Sequence, residues 1–429
     1  MNHSYSQTRA EIVIVGGGAG GLELAARLGR KLGREAVLLI DRAPTHIWKP
    51  TLHEVAAGTM DARSEGLSYP ILARRKRFSF ALGELRGVDT EARQITLAEL
   101  RDDQGAILMP QRQVGFDTLV MALGSGSNFF GTPGAEHAYV LEQASDAEAF
   151  HRTLLVAFMR AAYSVNKKMR LVIVGGGATG VELSAELLEA HDEVLQSMAP
   201  SQHFSLDIAI IEAAPRILSG LPERISKQAT TALISRGIRV LTDTRVTEIR
   251  EHSLLTSAGE EPADLMVWAA GIQAAKANQG FGMEVNRSHQ FVVDTQLQTS
   301  APGIYALGDC ASCVWREGMN VPPRAQSAHQ QADYLATLLM EKRAGRTTPA
   351  PFQYRDFGSL VSLGENQGTG NLMGALSGRR FFVDGIIAKW MYMSLHLMHH
   401  RAILGTWATA VLALARLLQR RISGRVKLH

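Results

Sequence analysis

The chain contains the same glycine-rich pattern twice. Residues 12–21 read IVIVGGGAGG and residues 171–180 read LVIVGGGATG, so the copies are displaced by 159 positions in a chain of 429 residues. In each copy an apolar, β-branched run leads through glycines into a segment with helical spacing of its apolar residues. A second apolar run follows and ends in an acid. This order predicts strand, glycine turn, helix and parallel strand, and it restricts the chain to an α/β fold.

The glycine spacing within each copy predicts a dinucleotide site. The first glycine of such a motif permits a tight turn, the second lets backbone N–H groups approach a pyrophosphate, and the third permits close packing of helix on strand. The glycines share the spacing Gly-x-Gly-x-x-Gly and are Gly16, Gly18 and Gly21 in the first copy and Gly175, Gly177 and Gly180 in the second. Two copies in the same context predict two dinucleotides.

The acid that ends each copy indicates which nucleotides bind. Asp41 and Glu212 stand where a carboxylate accepts hydrogen bonds from ribose hydroxyls. A carboxylate at Glu212 would repel a 2′-phosphate, so the second site favours NADH over NADPH, although Arg216 places one cation nearby.

A third apolar run, within TSAPGIYALGDCA at 299–311, leads into a Gly308-Asp309 turn. With two dinucleotide sites, this turn resembles the two-dinucleotide-binding-domain flavoproteins, and the resemblance implies FAD beside NADH. Asp309 would then bind the ribityl chain or the pyrophosphate, and a simple turn residue is the alternative.

Cysteine usage separates the branches of that flavoprotein family. Disulfide reductases carry two redox cysteines on the first helix after the FAD glycines, and the matching segment, 42–60, has none. The chain has two cysteines, Cys310 and Cys313. Two thiolates cannot complete a tetrahedral metal site, so we expect no metal and a structural role, with a redox or metal-binding pair as the alternative. Electrons are therefore expected to pass from NADH through flavin to an external acceptor.

Positive charge is concentrated at the C-terminus. The net charge is +4, but seven Lys and Arg residues and no acid follow Asp384, so residues 1–384 carry about −3. The body of the chain therefore lacks the basic surface of a nucleic-acid-binding protein, and no nucleic acid partner is expected. The N-terminus shows no long apolar run ahead of a cleavage site, so no signal peptide is expected.

The C-terminal segment has the pattern of a helix that lies on a membrane. Between Arg401 and Arg416 lie 14 uncharged residues, about 21 Å as a helix, which is too short for a hydrocarbon core of about 30 Å. One face, an arc of about 80°, opposes Arg416 and Arg420 and carries apolar residues: Trp407, Val411, Leu414, Leu418 and Ile422. A cationic amphipathic helix with Trp on its apolar face lies in a membrane interface. Docking on the protein core or on a second subunit is the alternative. The preceding segment, 386–398, is apolar nearly all round.

The predicted fold class is therefore α/β, with two Rossmann-like dinucleotide-binding domains, the second inserted into the first, and a C-terminal amphipathic helical membrane anchor. Apolar runs at 117–126 and 264–272 that end in glycine turns predict buried strands beside the ligands. The predicted boundaries are 8–128 and 291–385 for the FAD-binding domain, 165–290 for the NADH-binding domain and 386–429 for the membrane-associating helices.

Three segments together resemble the bacterial type II NADH:quinone oxidoreductases, which are single-subunit enzymes that do not pump protons. The segments are IDRAPTHIWKPTLHEVAAGT, GGGATGVELSAEL and VPPRAQSAHQQA, and the resemblance covers essentially the whole chain. It implies a peripheral flavoenzyme of the respiratory chain on the cytoplasmic face of the bacterial inner membrane, with the lipid bilayer surface and a membrane quinone, ubiquinone or menaquinone, as partners. A homodimer is a further possible assembly of the chain.

The resemblance also implies roles for particular residues. A glutamate near the nicotinamide and quinone corresponds to Glu182, and two glutamines on the quinone side of the flavin correspond to Gln326 and Gln330. These three are the predicted catalytic residues. Glu23 lies seven residues after its first glycine, as Glu182 does, so simple stabilisation of a first helical turn is the alternative for both. His329 adds a titratable group to the glutamine motif, or is a helix-surface histidine. Further predicted cofactor contacts are Gly20, Arg42, Lys49, Pro50, Leu85, Gly124, Ala328, Lys389 and Gly271.

Two other functions fit the same two domains. A soluble NAD(P)H-dependent ferredoxin reductase also lacks redox cysteines, and a basic tail could dock its acidic partner. The apolar face of the tail argues against this alternative, because a protein docking patch needs cations rather than Trp407 and Leu414 in a row. A flavin-bound redox-sensing protein without turnover is the second alternative, and it would not oxidise NADH when a quinone is added.

Overall fold

The computed structural model describes residues 8–102, 104–364, 368–373 and 380–422. Side-chain positions are described for 9–102, 104–364, 394, 396–415 and 418. The α-helices, in chain order, are α1 Ala19–Leu32, α2 Leu52–Ala57, α3 Ala62–Glu65, α4 Tyr69–Lys76, α5 Ala144–Tyr163, α6 Ala178–Ser197, α7 Glu223–Ser235, α8 Ala325–Arg343, α9 Gly385–Leu404 and α10 Thr406–Ile422.

The β-strands occupy the segments before and between these helices. They are β1 Thr8–Val15, β2 Val37–Asp41, β3 Thr45–His46, β4 Leu67–Ser68, β5 Ser79–Leu82, β6 Leu85–Asp89, β7 Gln94–Leu97, β8 Leu100–Arg101, β9 Ile107–Met109, β10 Arg112–Met121, β11 Gly126–Ser127, β12 Lys168–Val174, β13 Ser205–Ile211, β14 Arg239–Leu241, β15 Val246–Ile249, β16 Ser253–Thr256, β17 Gly259–Pro262, β18 Leu265–Trp268, β19 Ile272–Gln273, β20 Phe291–Val292, β21 Ile304–Ala306, β22 Ala311–Ser312, β23 Val314–Arg316, β24 Met319–Asn320, β25 Gly358–Ser362, β26 Gly368–Met373 and β27 Arg380–Asp384.

The chain divides into two compact units, each made of three segments. Unit 1 comprises Met1–His46, Gly66–Gly126 and Gln273–Arg355, and unit 2 comprises Ile47–Glu65, Ser127–Ile272 and Asp356–His429. Each unit contains one copy of the glycine repeat. The predicted domain boundaries describe nucleotide-binding modules rather than packing units, and they stay predictions.

Unit 1 is built around a mixed sheet. Among its described residues the strand order is β5-β2-β1-β10-β7-β6, with β21 also paired to β10. The first repeat forms β1, α1 and β2, and β1 and β2 are parallel with Ile12 opposite Val37. Helices α1 and α8 pack against each other. The predicted strand, turn, helix and strand are confirmed here, with β10 supplying the predicted buried strand before Gly124.

Unit 2 contains a second parallel sheet and a helical layer. The second repeat forms β12, α6 and β13, and the sheet order is β14-β13-β12-β18. The strand β12 is almost entirely buried from Leu171 to Val174, as expected for a parallel sheet covered on both faces. The short helix α2 packs on α5 and α6 and brings Leu52 and Val55 into the same core.

The C-terminal part of unit 2 consists of an antiparallel meander followed by two helices. The meander is β25-β26-β27, and the helices α9 and α10 are separated at Gly405, whose φ of +90° ends the first helix. The helices predicted within 386–429 are therefore confirmed as helices over the described residues. Within the part of the chain that the structure describes, no helix combines the length and the hydropathy needed to cross a membrane.

Candidate active site

The first glycine loop distinguishes glycines required by the fold from a glycine that the fold leaves free. Gly16 has a φ of +104°, and a Cβ there would overlap the carbonyl of Ala122. A Cβ at Gly21 would overlap the carbonyl of Gly16, whereas a Cβ at Gly18 would meet no atom within 4 Å. The packing of the chain therefore does not require glycine at position 18. The open space beside it is where a pyrophosphate would approach the backbone.

A neighbouring glycine sets the packing of the same helix. A Cβ at Gly20 would overlap the side chain of Leu307 and lie 3.0 Å from the carbonyl oxygen of Ala328. Gly20 and Ala328, both predicted as cofactor contacts, therefore lie where α1 and α8 pack against each other.

Asp41 is tied to the first loop by its own carboxylate. The backbone N–H of Gly17 donates to Oδ2 at 2.6 Å, and that of Ala43 donates to Oδ1 at 2.8 Å. A carboxylate has about four lone-pair positions, so two remain for ribose hydroxyls. The carboxylate of Asp41 is therefore held in place by the loop and can still accept hydrogen bonds from a ribose, as its predicted role requires.

The second loop repeats this design. Gly175 has a φ of +112°, and a Cβ there would overlap the carbonyl of Ala269. A Cβ at Gly177, by contrast, would meet nothing within 4 Å. Glu212 accepts from the N–H of Gly176 at 2.7 Å and from that of Ala214 at 2.8 Å. A Cβ at Gly180 would overlap the carbonyl of Gly175, as at the third glycine of the first loop. The two copies agree in glycine function and in carboxylate bonding.

The sequence left open whether the cation of Arg216 could bind a 2′-phosphate, and the structure shows its guanidinium bonded to the protein's own backbone. Its guanidinium donates to the backbone carbonyls of Leu218, Ser219 and Leu221 at 2.7–3.3 Å. Because those three bonds hold the guanidinium against its own loop, a 2′-phosphate would have to compete with the carbonyls for its N–H groups. The contacts favour NADH at this site.

The Gly308-Asp309 turn is held by two residues that the sequence reading missed. Ser125 Oγ donates to Asp309 Oδ2 at 2.8 Å, and Gln331 Oε1 accepts from the N–H of Gly308 at 2.7 Å. Gln331 is buried, and its position beside Gln330 in the AHQQA segment gave no separate signal. The Gln290 amide adds a bond to the Asp309 carbonyl at 2.9 Å, so the whole turn is rigidly supported.

Both cysteines are buried thiols. Burial raises the pKa of Cys310 and of Cys313 to about 11. The Cys310 Sγ donates to the carbonyls of Met121 and Leu307 at 3.4 and 3.3 Å. A thiol that stays protonated at neutral pH is a poor nucleophile and a poor metal ligand. These contacts support the structural role that the sequence indicated.

Glu182 lies on α6, is 5% exposed, and contacts two other segments of unit 2. Its Oε1 accepts from the N–H of Ser362 at 3.2 Å, and its Oε2 lies 3.7 Å from Nδ1 of His53 on α2. His53 is 2% exposed, and burial lowers its pKa to about 4. The ring is therefore neutral at pH 7, so the contact with Glu182 is not an ion pair.

The equivalent glutamate of the first repeat has a different partner. Glu23 is buried, and its Oε2 lies 2.5 Å from Nδ1 of His329. This hydrogen bond raises the pKa of His329, which is half-exposed. Of the two alternatives for His329, a helix-surface histidine or a titratable group of the motif, the structure shows a half-exposed histidine whose hydrogen bond to Glu23 links α8 to α1.

The predicted glutamines differ in how far they are engaged. Gln330 donates from Nε2 to the Arg355 carbonyl at 2.8 Å and accepts at Oε1 from the Arg355 N–H at 3.0 Å. Both ends of that amide are thus used to hold the segment before β25. Gln326 is half-buried in the first turn of α8. These two residues belong to unit 1 and Glu182 to unit 2, and their grouping in one site stays a prediction.

The remaining predicted contacts fall on several elements. Arg42 is exposed after β2, Lys49 and Pro50 are exposed in the short turn before α2, and Leu85 is half-buried at the start of β6. Gly124 and Gly271 both have positive φ, +69° and +67°. Lys389 lies in α9, and its side chain falls outside the described positions.

Comparison with known proteins identifies the family. Residues 10–332 match the model of the pyridine nucleotide-disulphide oxidoreductases. A type II NADH:quinone oxidoreductase of Haemophilus influenzae is 38% identical over 97% of this chain and 99% of its own length. A protein of the same name from Staphylococcus aureus is 27% identical over 86% of this chain and 91% of its own length.

A solved structure agrees in fold. The NDH2 of Plasmodium falciparum in complex with NADH has a TM-score of 0.82 at 19% identity and covers 97% of this chain and 99% of its own. The duplicated glycine loops with their fixed carboxylates agree with these matches. The chain therefore belongs to the pyridine nucleotide-disulphide oxidoreductase family, among its type II NADH:quinone oxidoreductases.

Proposed function

We propose that this chain is a peripheral membrane enzyme that oxidises NADH and reduces a membrane quinone to quinol, with FAD as its cofactor and without pumping protons. The observation that carries the proposal is the pair of glycine loops, each with an open second glycine and a carboxylate fixed by the loop, in a chain of this family. Two such loops provide for two dinucleotides in one chain. Bound FAD would supply the two-electron chemistry that links the nicotinamide to the quinone.

The first loop fits the flavin nucleotide. Gly18 leaves room for a pyrophosphate at the N-terminus of α1, where free N–H groups and the helix dipole attract an anion. Asp41 would accept from the ribose, and Asp309, held by Ser125, would bind the ribityl chain or pyrophosphate. These side chains hold and orient the cofactor.

The second loop fits NADH. Gly177 leaves the same space at the N-terminus of α6, and Glu212 presents a carboxylate toward a ribose that carries free hydroxyls. A 2′-phosphate would meet that negative charge, and the guanidinium of Arg216 is already bonded to its own loop. NADH is therefore the proposed electron donor.

Glu182, Gln326 and Gln330 are the proposed residues on the quinone side. Reduction of a quinone to a quinol adds two electrons and two protons, so a group that holds a proton near the acceptor is needed. Glu182 is a buried carboxyl group whose Oε1 accepts from the Ser362 N–H and whose Oε2 lies 3.7 Å from the ring of His53. Since both ends of the Gln330 amide are bonded to Arg355, Gln330 would act by fixing the shape of this region.

The proposed membrane contact is the outer face of α10. Trp407 is 82% exposed, and Val411, Leu414 and Leu418 are each more than half exposed. This face is therefore not docked on the core among the described residues, while Ile422 and the side chains of Arg416 and Arg420 lie outside the described positions. An apolar stripe with Trp and no acids nearby suits a lipid interface, and a second copy of the chain is the alternative partner for it. The cytoplasmic face of the inner membrane is the proposed location.

The test is a quinone-reduction assay on the FAD-loaded protein. We expect NADH oxidation that depends on added soluble quinone, yields quinol in equal amount, and is faster with NADH than with NADPH. Purified protein should contain about one FAD per chain. A ferredoxin reductase would instead need a ferredoxin for turnover, and a redox sensor would be reduced once without turnover. Either result, or a preparation that contains only FMN, would refute the proposal.

A further inference from the structure

Two buried glutamates occupy the same place in the two repeats, but their histidine partners differ in charge. His329 beside Glu23 is half-exposed, and its hydrogen bond to that carboxylate favours the imidazolium form. His53 beside Glu182 is 2% exposed, and burial favours the neutral ring. The first pair is a hydrogen bond that links α1 to α8 and favours a charged ring. In the second pair the histidine is neutral, so attraction between opposite charges does not explain why His53 is buried beside Glu182.

The contacts of His53 favour one assignment of its ring proton, on Nδ1. The ring makes a hydrogen bond to the backbone of Pro50, and since proline has no N–H, the Pro50 carbonyl is the acceptor. Nδ1 lies on the side of Glu182, 3.7 Å from Oε2. Nε2 has no hydrogen-bond partner among the described residues. Because a neutral imidazole carries one proton, a ring that donates from Nδ1 has a bare lone pair on Nε2.

A bare buried nitrogen is unfavourable unless a donor reaches it. Leaving a buried acceptor unsatisfied costs about 1–3 kcal/mol. Native proteins keep few such groups, and those that they keep are often occupied by a water molecule or used in catalysis. This nitrogen, Nε2 of His53, belongs to the ring that contacts Glu182, which is the proposed proton-holding group.

Other ionisable groups lie on the elements around His53. Helix α2 packs on α5 and α6 and follows the turn that carries Lys49. From α5, the ring of His151 lies against Gly58, and from α6, Glu186 accepts from the hydroxyl of Thr59 at 3.0 Å. Glu54 is the further acid on α2 itself. His53 and Glu182 therefore lie among several other ionisable side chains, and a pH dependence measured in this region includes contributions from all of them.

We propose that His53 is a positioning residue for Glu182: its buried, neutral ring packs beside the carboxyl group that passes a proton to the quinone, and its bare Nε2 accepts a hydrogen bond from a water molecule. The proposal rests on the function proposed above. NADH supplies two electrons and one proton as hydride, and the second proton comes from solvent. The O–H bond of Glu182 breaks as an O–H bond forms on a quinone oxygen, and a hydronium ion from solvent then returns a proton to the carboxylate and leaves water.

Rapid mixing of the FAD-loaded protein tests this role, because flavin reduction by NADH and flavin reoxidation by a soluble quinone are followed separately. His53→Leu removes both nitrogens, whereas His53→Asn restores a donor near the position of Nδ1. We expect His53→Leu to slow reoxidation by about tenfold or more and to change its pH dependence, with partial recovery in His53→Asn. Flavin reduction by NADH should stay within about twofold of the native rate in both, since neither alters the second glycine loop.

His191→Gln is the matched control. His191 is buried on the same helix as Glu182, and its Nε2 is bonded to the Phe204 carbonyl at 3.0 Å. Reoxidation should be unchanged in this variant. If both His53 variants reoxidise at the native rate, or if both half-reactions slow equally, the proposal is wrong. If the native protein is not reoxidised by quinone at all, the proposed function itself fails.

Nitrogen-15 NMR on histidine-labelled protein gives a readout that needs no turnover. The signals absent from the His53→Asn spectrum belong to His53 among the 14 histidines of the chain. We expect a ring protonated on Nδ1 that does not titrate above about pH 5, with His329 as an internal comparison that titrates above its ordinary range. A proton on Nε2, or an ordinary titration near pH 6.5, would overturn the proposal.

Discussion

At the scale of single residues, Gly16 and Gly18 predict opposite outcomes for the same substitution. Gly18→Ala should give folded protein that has lost most of its FAD, because its φ of −61° suits alanine and the added methyl group enters only the open space. Gly16→Ala should instead misfold, because its φ of +104° is strained and the Cβ overlaps Ala122. The FAD-to-protein absorbance ratio, measured with far-UV circular dichroism, separates the two. Native FAD content in Gly18→Ala would place the pyrophosphate elsewhere.

Glu212 predicts the choice of nucleotide. In Glu212→Gln an amide replaces the carboxylate that accepts from Gly176 and Ala214, so one loop bond and the charge are lost. A hydrogen bond to a charged group contributes about 1.5–3 kcal/mol, so the KM for NADH should rise about tenfold or more. The KM for NADPH should change less, because repulsion of its phosphate is relieved. Steady-state kinetics with both nucleotides test this, and a parallel change in both would mean that Glu212 only supports the loop.

Gln326 predicts a separation of the two half-reactions. Gln326→Leu should slow flavin reoxidation by quinone by about tenfold while flavin reduction by NADH stays near the native rate. The residue is half-buried at the start of α8 and belongs to the predicted quinone-side set. Stopped-flow absorbance follows both steps. Gln330→Leu is the comparison variant: since its amide holds Arg355, we expect it to lower thermal stability as well. Slowing of the reductive step alone would assign Gln326 to the nicotinamide site.

At the scale of elements, α10 predicts how the protein binds membranes. Removal of residues 406–429, after the break at Gly405, should release the protein from vesicles and leave its FAD bound. Burial of the apolar side chains at about 1.5 kcal/mol each provides most of the binding, and each Arg near an anionic leaflet adds about 1 kcal/mol. High salt should therefore weaken co-sedimentation only in part.

The matched variant for that deletion keeps the helix but changes its exposed face. Trp407→Ser combined with Leu414→Ser and Leu418→Ser removes apolar surface that is already in solvent, so folding should be unaffected. Binding should fall nearly as far as in the deletion. Complete release of the native protein by salt alone would show a purely electrostatic contact and would favour a protein acceptor.

The elements differ in how well the sequence predicts them. The two repeats were predicted because glycine turns and uninterrupted apolar strands are local signals, and β1, α1, β12 and α6 all follow them. The short helix α2 was not predicted as an element that packs on α6, since its six residues carry no periodicity long enough to interpret. Its contribution, His53, depends on a tertiary contact between residues 129 positions apart, which spacing along the chain does not encode.

At the scale of the whole molecule, the two glutamate–histidine pairs predict how stability depends on pH. An unfolded His53 titrates near pH 6.5, but in the folded protein its pKa is about 4. Between these values the unfolded chain binds the additional proton, so stability falls as the pH drops, by up to about 3 kcal/mol. His329 acts in the opposite direction, because its raised pKa makes its contribution fully present below pH 6.5 and lost as the pH rises through that raised value.

Denaturant unfolding of native protein and His53→Asn at pH 7 and near pH 4.5 measures this effect. The variant should lose less stability on acidification than the native protein does. His329→Asn should show the reverse, with its deficit largest in acid. Equal acid sensitivity of native protein and His53→Asn would mean that the ring of His53 is already charged or solvated in the folded state.

The candidate site was predictable where chemistry is encoded by neighbours in sequence. Asp41 ends β2, Glu212 follows β13 and Asp309 lies in the turn after β21. The sequence shows all three strands, and the structure gives each of these acids fixed hydrogen bonds. Ser125 and Gln331 were missed because their roles depend on which turn they meet after folding.

The two carboxylates that are bonded by their own loops have a consequence for the speed and strength of nucleotide capture. Asp41 and Glu212 have already lost their rotational freedom to the amides of Gly17 and Gly176 before any ligand arrives. Immobilising such a side chain during binding would otherwise subtract about 0.5–1.5 kcal/mol from the affinity. The nucleotide therefore meets a preorganised acceptor, and the entropy of ordering that side chain is part of the cost of folding rather than of each catalytic cycle.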